Sequence, residues 1–184
     1  RDDAQWLVRV VENLLSITRM GEDTRITKQP EAAEEVLGEV ARKFRKHYPG
    51  VKISVAVPDE LLIVPMDAIL IEQVMTNLLE NAVRHGKNTT HIALSVHQDG
   101  ENAVFAVQDN GGGIPPKLLP VLFSGTLRHS DTPTGDGKRN MGLGLSVCNA
   151  IVRAHGGTMH AQNNDGGAEF IFYLPMIEKE PELQ

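Results

Sequence analysis

The stretch Asn77-Leu78-Leu79-Glu80-Asn81-Ala82-Val83-Arg84-His85 decides how this chain is read. It closes a segment rich in Ile, Val, Met and Leu that opens at Pro65-Met66-Asp67, and the pattern predicts one long helix running to about His85. On that helix Asn77, Asn81, Arg84 and His85 recur at i, i+4, i+7 and i+8, and so share one face. Amides in mid-helix sacrifice propensity and, where buried, need partners. Either the face is solvated and its Asn residues are unremarkable, or something outside the chain supplies the partners. An Asn carbonyl is the kind of donor that completes the shell of Mg²⁺, which takes oxygen ligands and keeps several waters and phosphates.

On the C-terminal side, two alternating runs at 91–96 and 103–108 flank Asp99-Gly100 and predict a hairpin, because glycine tolerates positive φ. The second run ends at Asp109, which opens Asp109-Asn110-Gly111-Gly112-Gly113-Ile114-Pro115. A carboxylate at a strand end can accept from an exocyclic amine such as that of adenine, while glycines let a flat base or a phosphate approach the backbone. An ordinary Asp-Asn-Gly turn fits the same letters. Residues 124–141 show little periodicity and read as a long loop, a lid in function. Gly142-Leu143-Gly144-Leu145 then falls between that loop and a helix expected over 143–155, where backbone N–H groups and the helix dipole favour a phosphate. A flexible turn is the plainer alternative. After Gly156-Gly157 two strands are expected, at 158–162 and 168–174, and then a polar tail.

On the N-terminal side, residues 4–20 carry Trp6, Leu7, Val10, Val11, Leu14, Leu15, Ile17 and Met20 at helical spacing, with Gly21 as the stop. That apolar stripe needs another helix to cover it, and a partner chain is the favoured source. A short strand near 25–28, a helix starting after Pro30 and stopped by Tyr48-Pro49-Gly50, and strands at 52–57 and 61–64 complete the pattern. Helices and strands interleave without strict βαβ repetition, which gives an α/β sandwich of helices over a mixed sheet. Three parts are expected: residues 1–20 as an appended helix, 21–176 as the main domain and 177–184 as a tail.

Composition bounds the function. A chain of 184 residues with 41% hydrophobic and 23% charged residues can bury one good core. A net charge of −6 weighs against nucleic acid as a partner. The single cysteine, Cys148, can form neither an internal disulfide nor half a zinc site, and its apolar surroundings make it a buried bystander. No apolar run approaches the roughly 20 residues of a membrane span, and Arg1 suggests an excerpt, so a membrane anchor is expected only in regions beyond these residues. The expected location is cytoplasmic.

The three signals, in this order, resemble the N, G1 and G2 boxes of the histidine-kinase branch of the GHKL ATPase superfamily, with residues 77–85 as N box, 109–113 as G1 and 142–145 as G2. Phe123 is similar to a degenerate F box: the second aromatic is missing, and Ser124-Gly125-Thr126 stands there instead. Met141 precedes Gly142 where a small residue is common. The wording around 72–81 and 148–157 is similar to KdpD-type potassium sensors, and residues 12–19 resemble the second helix of the dimerisation and phospho-acceptor domain. The resemblance implies a Bergerat fold, a two-layer α/β sandwich with helices packed on one face of a mixed, mainly antiparallel sheet. It implies ATP and Mg²⁺ as ligands: Asp109 reads adenine beside Gly111, Gly113 and Ile114, Asn81 holds Mg²⁺, and Asn77, Arg84 and His85 lie near phosphates or sugar. Gly142, Leu143, Gly144 and Leu145 frame the lid hinge, and Arg139 or Lys138 meets the triphosphate unless it is merely solvated. Arg128 and His129 are expected to be solvated. Partners implied are an upstream dimerisation and phospho-acceptor domain, a response regulator, and a second copy in the full-length protein.

Gyrase-like and chaperone-like members of that superfamily place a Glu four residues before the metal-binding Asn; here that position is Asn77. Glu80 points about 100° away from Asn81 on a helix and is a poor substitute. No residue is therefore assigned as a catalytic base, hydrolysis is expected to be slow, and phosphoryl transfer to a histidine is favoured. None of the seven histidines sits in a helix beside an acidic residue, so the acceptor is expected upstream. Two competing readings are a GHKL hydrolase and an interaction module with little affinity for nucleotide.

Overall fold

The computed structural model describes residues 26–86, 88–123, 136–164 and 166–177, with the backbone alone for 136–143. Its strands are β1 (Gln29–Ala32), β2 (Lys52–Ala56), β3 (Ile63–Met66), β4 (His91–Asp99), β5 (Asn102–Asp109), β6 (Thr158–Asn164) and β7 (Gly167–Pro175). Its helices are α1 (Ala33–His47), α2 (Ala68–His85) and α3 (Asp136–Ala154), with a 3₁₀ turn at Leu119–Val121. Five strands form one sheet in the order β2-β4-β5-β7-β6, and β1 pairs with β3 in a separate ribbon. Only β2 and β4 run parallel in the large sheet; its other pairs are antiparallel.

Alternation builds the core. The β4–β5 hairpin turns at Gly100 with φ +62°, and this fixes a register that puts Ile92, Leu94, Val96, Ala103, Phe105 and Val107 on one face. β7 adds Phe170, Phe172 and Leu174 to that face, where Phe105 and Phe172 stack at 4.8 Å between ring centroids. The apolar stripes of the helices close over it: Val36, Leu37, Val40 and Phe44 from α1, Ile71, Val74, Met75 and Leu78 from α2, and Leu145, Cys148, Ile151 and Val152 from α3. The result is the expected two-layer sandwich on a mixed, mainly antiparallel sheet, with Cys148 buried in it.

Prolines and glycines shifted several boundaries. Pro30 does not open α1; it lies in β1 opposite Pro65 of β3, and α1 begins at Ala33. A two-stranded ribbon tolerates both prolines because each strand has an outer edge that needs no donor. The strands expected near 25–28 and at 61–64 accordingly appear later, at 29–32 and 63–66. Asp67 then caps α2, its Oδ1 accepting from the Leu70 N–H at 3.3 Å. Likewise α3 starts at Asp136, so residues 136–141, expected in the loop, are helical, and Gly142 to Leu145 lie inside the helix rather than at its start. A glycine in a helix costs only about 1 kcal/mol relative to Ala, and no proline stands between Pro133 and the helix end to forbid it. The expected helix at 4–20, Arg25, residues 124–135 of the expected lid with Arg128 and His129, and the tail beyond 177 lie outside the described residues. Among those described, no helix is long and apolar enough to cross a membrane.

One buried polar side chain joins two of the helices. His155, 1% exposed, follows the last turn of α3. Its Nε2 accepts from the Asp67 N–H at 3.0 Å and its Nδ1 donates to the Ile151 carbonyl at 2.8 Å, an arrangement that requires the neutral ring. The end of α3 is thereby clipped to the start of α2.

Candidate functional site

A pocket open to solvent lies where the C-terminal half of α2, the end of β5 and the start of β7 meet. Asn81, Ala82, His85 and Gly86 form the helix side, Asp109 and the loop residues Gly113, Ile114 and Pro115 a second wall, and Ala168 and Phe170 of β7 the floor. A concave, largely apolar cavity with a few convergent polar groups is the usual form of a small-molecule site.

Asp109 is the last residue of β5 and 8% exposed. Its Oδ1 accepts from the Gly111 N–H at 2.8 Å and the Ala168 N–H at 3.3 Å, so one carboxylate oxygen is held by backbone donors. Close packing locks that corner. A Cβ on Gly167 would lie 1.7 Å from the Asp109 carbonyl oxygen, so only glycine lets β7 pass there. Thr89 Oγ1 donates to the Ala82 carbonyl at 2.7 Å, and Asn110 Oδ1 accepts from the Thr90 and His91 N–H groups at 3.0 and 3.1 Å. These bonds bolt the end of α2 to the glycine-rich loop.

Asn81 is 9% exposed, and its side-chain nitrogen is enclosed without a hydrogen-bond partner. Leaving a buried amide group unpaired costs about 1–3 kcal/mol, so such a group calls for an explanation. His85, one turn on, lines the same pocket.

The face expected to act together divides. Asn81 and His85 reach the pocket, whereas Arg84 is exposed and not among the lining residues. Asn77 hydrogen-bonds Cys148 of α3, whose thiol also donates to the Val74 carbonyl at 3.7 Å. Burial pushes that thiol up to about 12, with Asn77 opposing the shift. Glu80 is buried but does not line the pocket. Asp109, Gly113 and Ile114 are together in the wall, and Gly111 holds the carboxylate from behind. Leu145 is a core residue, and Gly144 has open space beside its Cα. Arg139, Lys138, Gly142 and Leu143 belong to α3 by backbone, but their side chains lie outside the described residues. Phe123 packs its edge on Phe170, at 6.4 Å and 81°, and so braces the pocket floor.

Sequence reasoning missed Thr89, Ala168, Phe170 and Asn163. Phe170 fell within the strand expected at 168–174, but nothing marked it as a pocket floor. Asn163 acts through bonds to backbone 49 residues away and Thr89 through one to the Ala82 carbonyl at the end of α2, neither of which a local pattern reveals.

A sheet covered on one face by three helices, with a pocket between a central helix, a strand-end Asp and a glycine-rich loop, defines the Bergerat class of ATP-binding domains. The chain belongs to the histidine kinase-, DNA gyrase B-, and HSP90-like ATPase family, whose profile matches residues 66–178. It is 40% identical over 95% of its length to the sensor protein KdpD of Clostridium acetobutylicum, of which it spans 19%. Among solved structures it is similar to the ATP binding domain of PrrB from Mycobacterium tuberculosis, with 26% identity and a TM-score of 0.67 over 83% of this chain and 100% of that one. Full-length ShkA in complex with AMPPNP matches with 26% identity and a TM-score of 0.77, over 100% of this chain and 38% of that one.

Proposed function

We propose that this chain is the ATP-binding catalytic domain of a KdpD-like two-component sensor kinase, which presents the γ-phosphate of ATP to a histidine on a dimerisation domain. The observation that carries the reading is the pairing, in one pocket, of the oriented Asp109 carboxylate with the unpartnered Asn81 amide. Asp109 commits one oxygen to the backbone, which leaves the other to accept from an adenine amine. The residues present fit a magnesium ion beside the phosphates: the Asn81 side-chain nitrogen is enclosed and unpaired, as a donor awaiting a phosphate oxygen would be, and the carbonyl oxygen of the same amide is of the kind a hard cation takes alongside phosphate and water. When bound, the ion supplies charge neutralisation on the triphosphate. His85 stands next to that end of the pocket, and Arg84, Arg139 and the segment 142–145 are candidates for the phosphates and lid hinge.

Transfer is favoured over hydrolysis because Asn77 stands one turn before Asn81 where a water-activating Glu is needed, and its amide is already engaged by Cys148. Phosphoryl transfer to a histidine asks this domain for positioning and charge neutralisation rather than for a base. The remaining partners follow from that chemistry: a second copy through the dimerisation domain, and a response regulator that receives the phosphoryl group, on the cytoplasmic side where ATP is available.

Calorimetric titration of the 184-residue chain with Mg·ADP and with a non-hydrolysable ATP analogue tests the reading. Binding is expected, weakened at least tenfold by Asp109→Asn and made insensitive to magnesium by Asn81→Ala. Absence of binding to the parent chain would move the assignment to an interaction module.

A further inference from the structure

The loop 110–115 forms one wall of the pocket, yet it belongs to no strand and contains three glycines, so ordering it is entropically expensive. What holds it comes from the β6–β7 hairpin. The Asn163 amide faces the Ile114 backbone in both directions: its Oδ1 accepts from the Ile114 N–H at 2.7 Å, and its Nδ2 donates to the Ile114 carbonyl at 2.9 Å. One side chain thus supplies a complete ladder rung to a segment 49 residues away that has no partner strand there. The neighbouring backbone is shaped to it. Gly113, with φ +89°, has Asn163 Oδ1 2.9 Å from where a Cβ would sit, so the amide occupies space that only glycine leaves open. A second tether runs from the Gly112 N–H to the Gly166 carbonyl of the same hairpin at 2.9 Å.

We infer that Asn163 is a positioning residue for the nucleotide: it never lines the pocket itself, but fixes Gly113, Ile114 and Pro115 in the geometry that receives the base. The inference rests on the nucleotide reading of the pocket. A wall ordered in advance spares the ligand the cost of ordering it, and this is a gain in affinity without a new contact. Since Asn163 is exposed, its replacement should cost little global stability. A purely structural role would therefore show nowhere, whereas a positioning role shows at the pocket.

The test compares the parent chain with Asn163→Ala and Asn163→Asp, the latter keeping an acceptor for the Ile114 N–H while losing the donor to its carbonyl. Two quantities are read: amide hydrogen exchange at Ile114 without ligand, and the Kd for Mg·ADP by calorimetry. Expected for Asn163→Ala are a near-unchanged thermal midpoint, faster exchange confined to the loop, and a Kd raised about three- to tenfold, as befits partly exposed hydrogen bonds. Asn163→Asp should keep Ile114 slower to exchange than Asn163→Ala does. Unchanged Ile114 exchange in Asn163→Ala, or faster exchange with the parent Kd, would overturn the positioning role while leaving the nucleotide reading intact. A parent chain that binds no Mg·ADP would overturn both.

Discussion

Asn81 shows what the proposed binding role costs the fold. It sits in an apolar stretch of α2, 9% exposed, with its amide nitrogen unpaired, while Ala is both the better helix former and free of polar atoms. Selection for stability alone would remove it. Asn81→Ala is therefore expected to raise the unfolding free energy of the unliganded chain by about 1 kcal/mol while it weakens magnesium-dependent nucleotide binding. Urea denaturation beside calorimetry checks this: a variant that loses stability and affinity together would make Asn81 an ordinary structural residue. The same conflict made Asn81 legible in the sequence, because a polar residue inside an apolar period violates a rule and asks for a reason. Asp109 was legible for a similar reason, as a carboxylate where a strand stops and glycines begin. Asn77 met the same criterion, and its partner is a thiol on another helix rather than the pocket. Periodicity gives the face of a residue but not what lies opposite.

At the scale of elements, α2 and the β4–β5 hairpin could be read directly, since a long apolar period and an Asp-Gly turn each have one economical solution. The failures fell on Pro30, Pro65 and the glycines of 142–145, residues that mark breaks in an average sequence but were accommodated here by a ribbon edge and by a helix interior. The clip between α2 and α3 was also invisible, because His155 reads as an ordinary core histidine until Asp67 is seen beside it. Burial holds its pKa below the ordinary value. The Ile151 carbonyl opposes that shift, nearby Lys28 adds to it and Asp67 opposes it. Below about pH 6.5 the unfolded chain then binds a proton that the folded chain refuses. The stability this ring contributes is complete above that pH and is lost as pH falls from there through the depressed folded value. Denaturation at pH 7.5, 6.5 and 5.5 should show the parent losing stability on acidification faster than His155→Gln, the other six histidines being common to both. Parallel pH profiles for the two proteins would show that the clip does not titrate with folding.

On the scale of the whole molecule, the pocket is a product of assembly. Asn81 comes from α2, Asp109 from β5, Ile114 from the loop that β6 holds, and Phe170 from β7, so no single hairpin or helix carries a recognisable part of the cavity. An unfolded chain then has no site, and ligand binding adds stability of RT ln(1 + L/Kd) at free ligand concentration L. At a ligand concentration about 100 times Kd this amounts to about 2.7 kcal/mol, which in a domain of this size raises the thermal midpoint by roughly 5–10 °C. Mg·ADP should give that shift, EDTA should diminish it, and Asp109→Asn should abolish most of it. With ATP in place of ADP, the shift should persist through a long incubation, because Asn77 offers no base and little phosphate should be released. Label from γ-phosphate-labelled ATP should not accumulate on the chain, since none of its histidines has the helical acidic neighbour of an acceptor. A shift that decays as phosphate appears would mark a hydrolase instead, and the group that activates water would then have to be sought outside the Asn77 position.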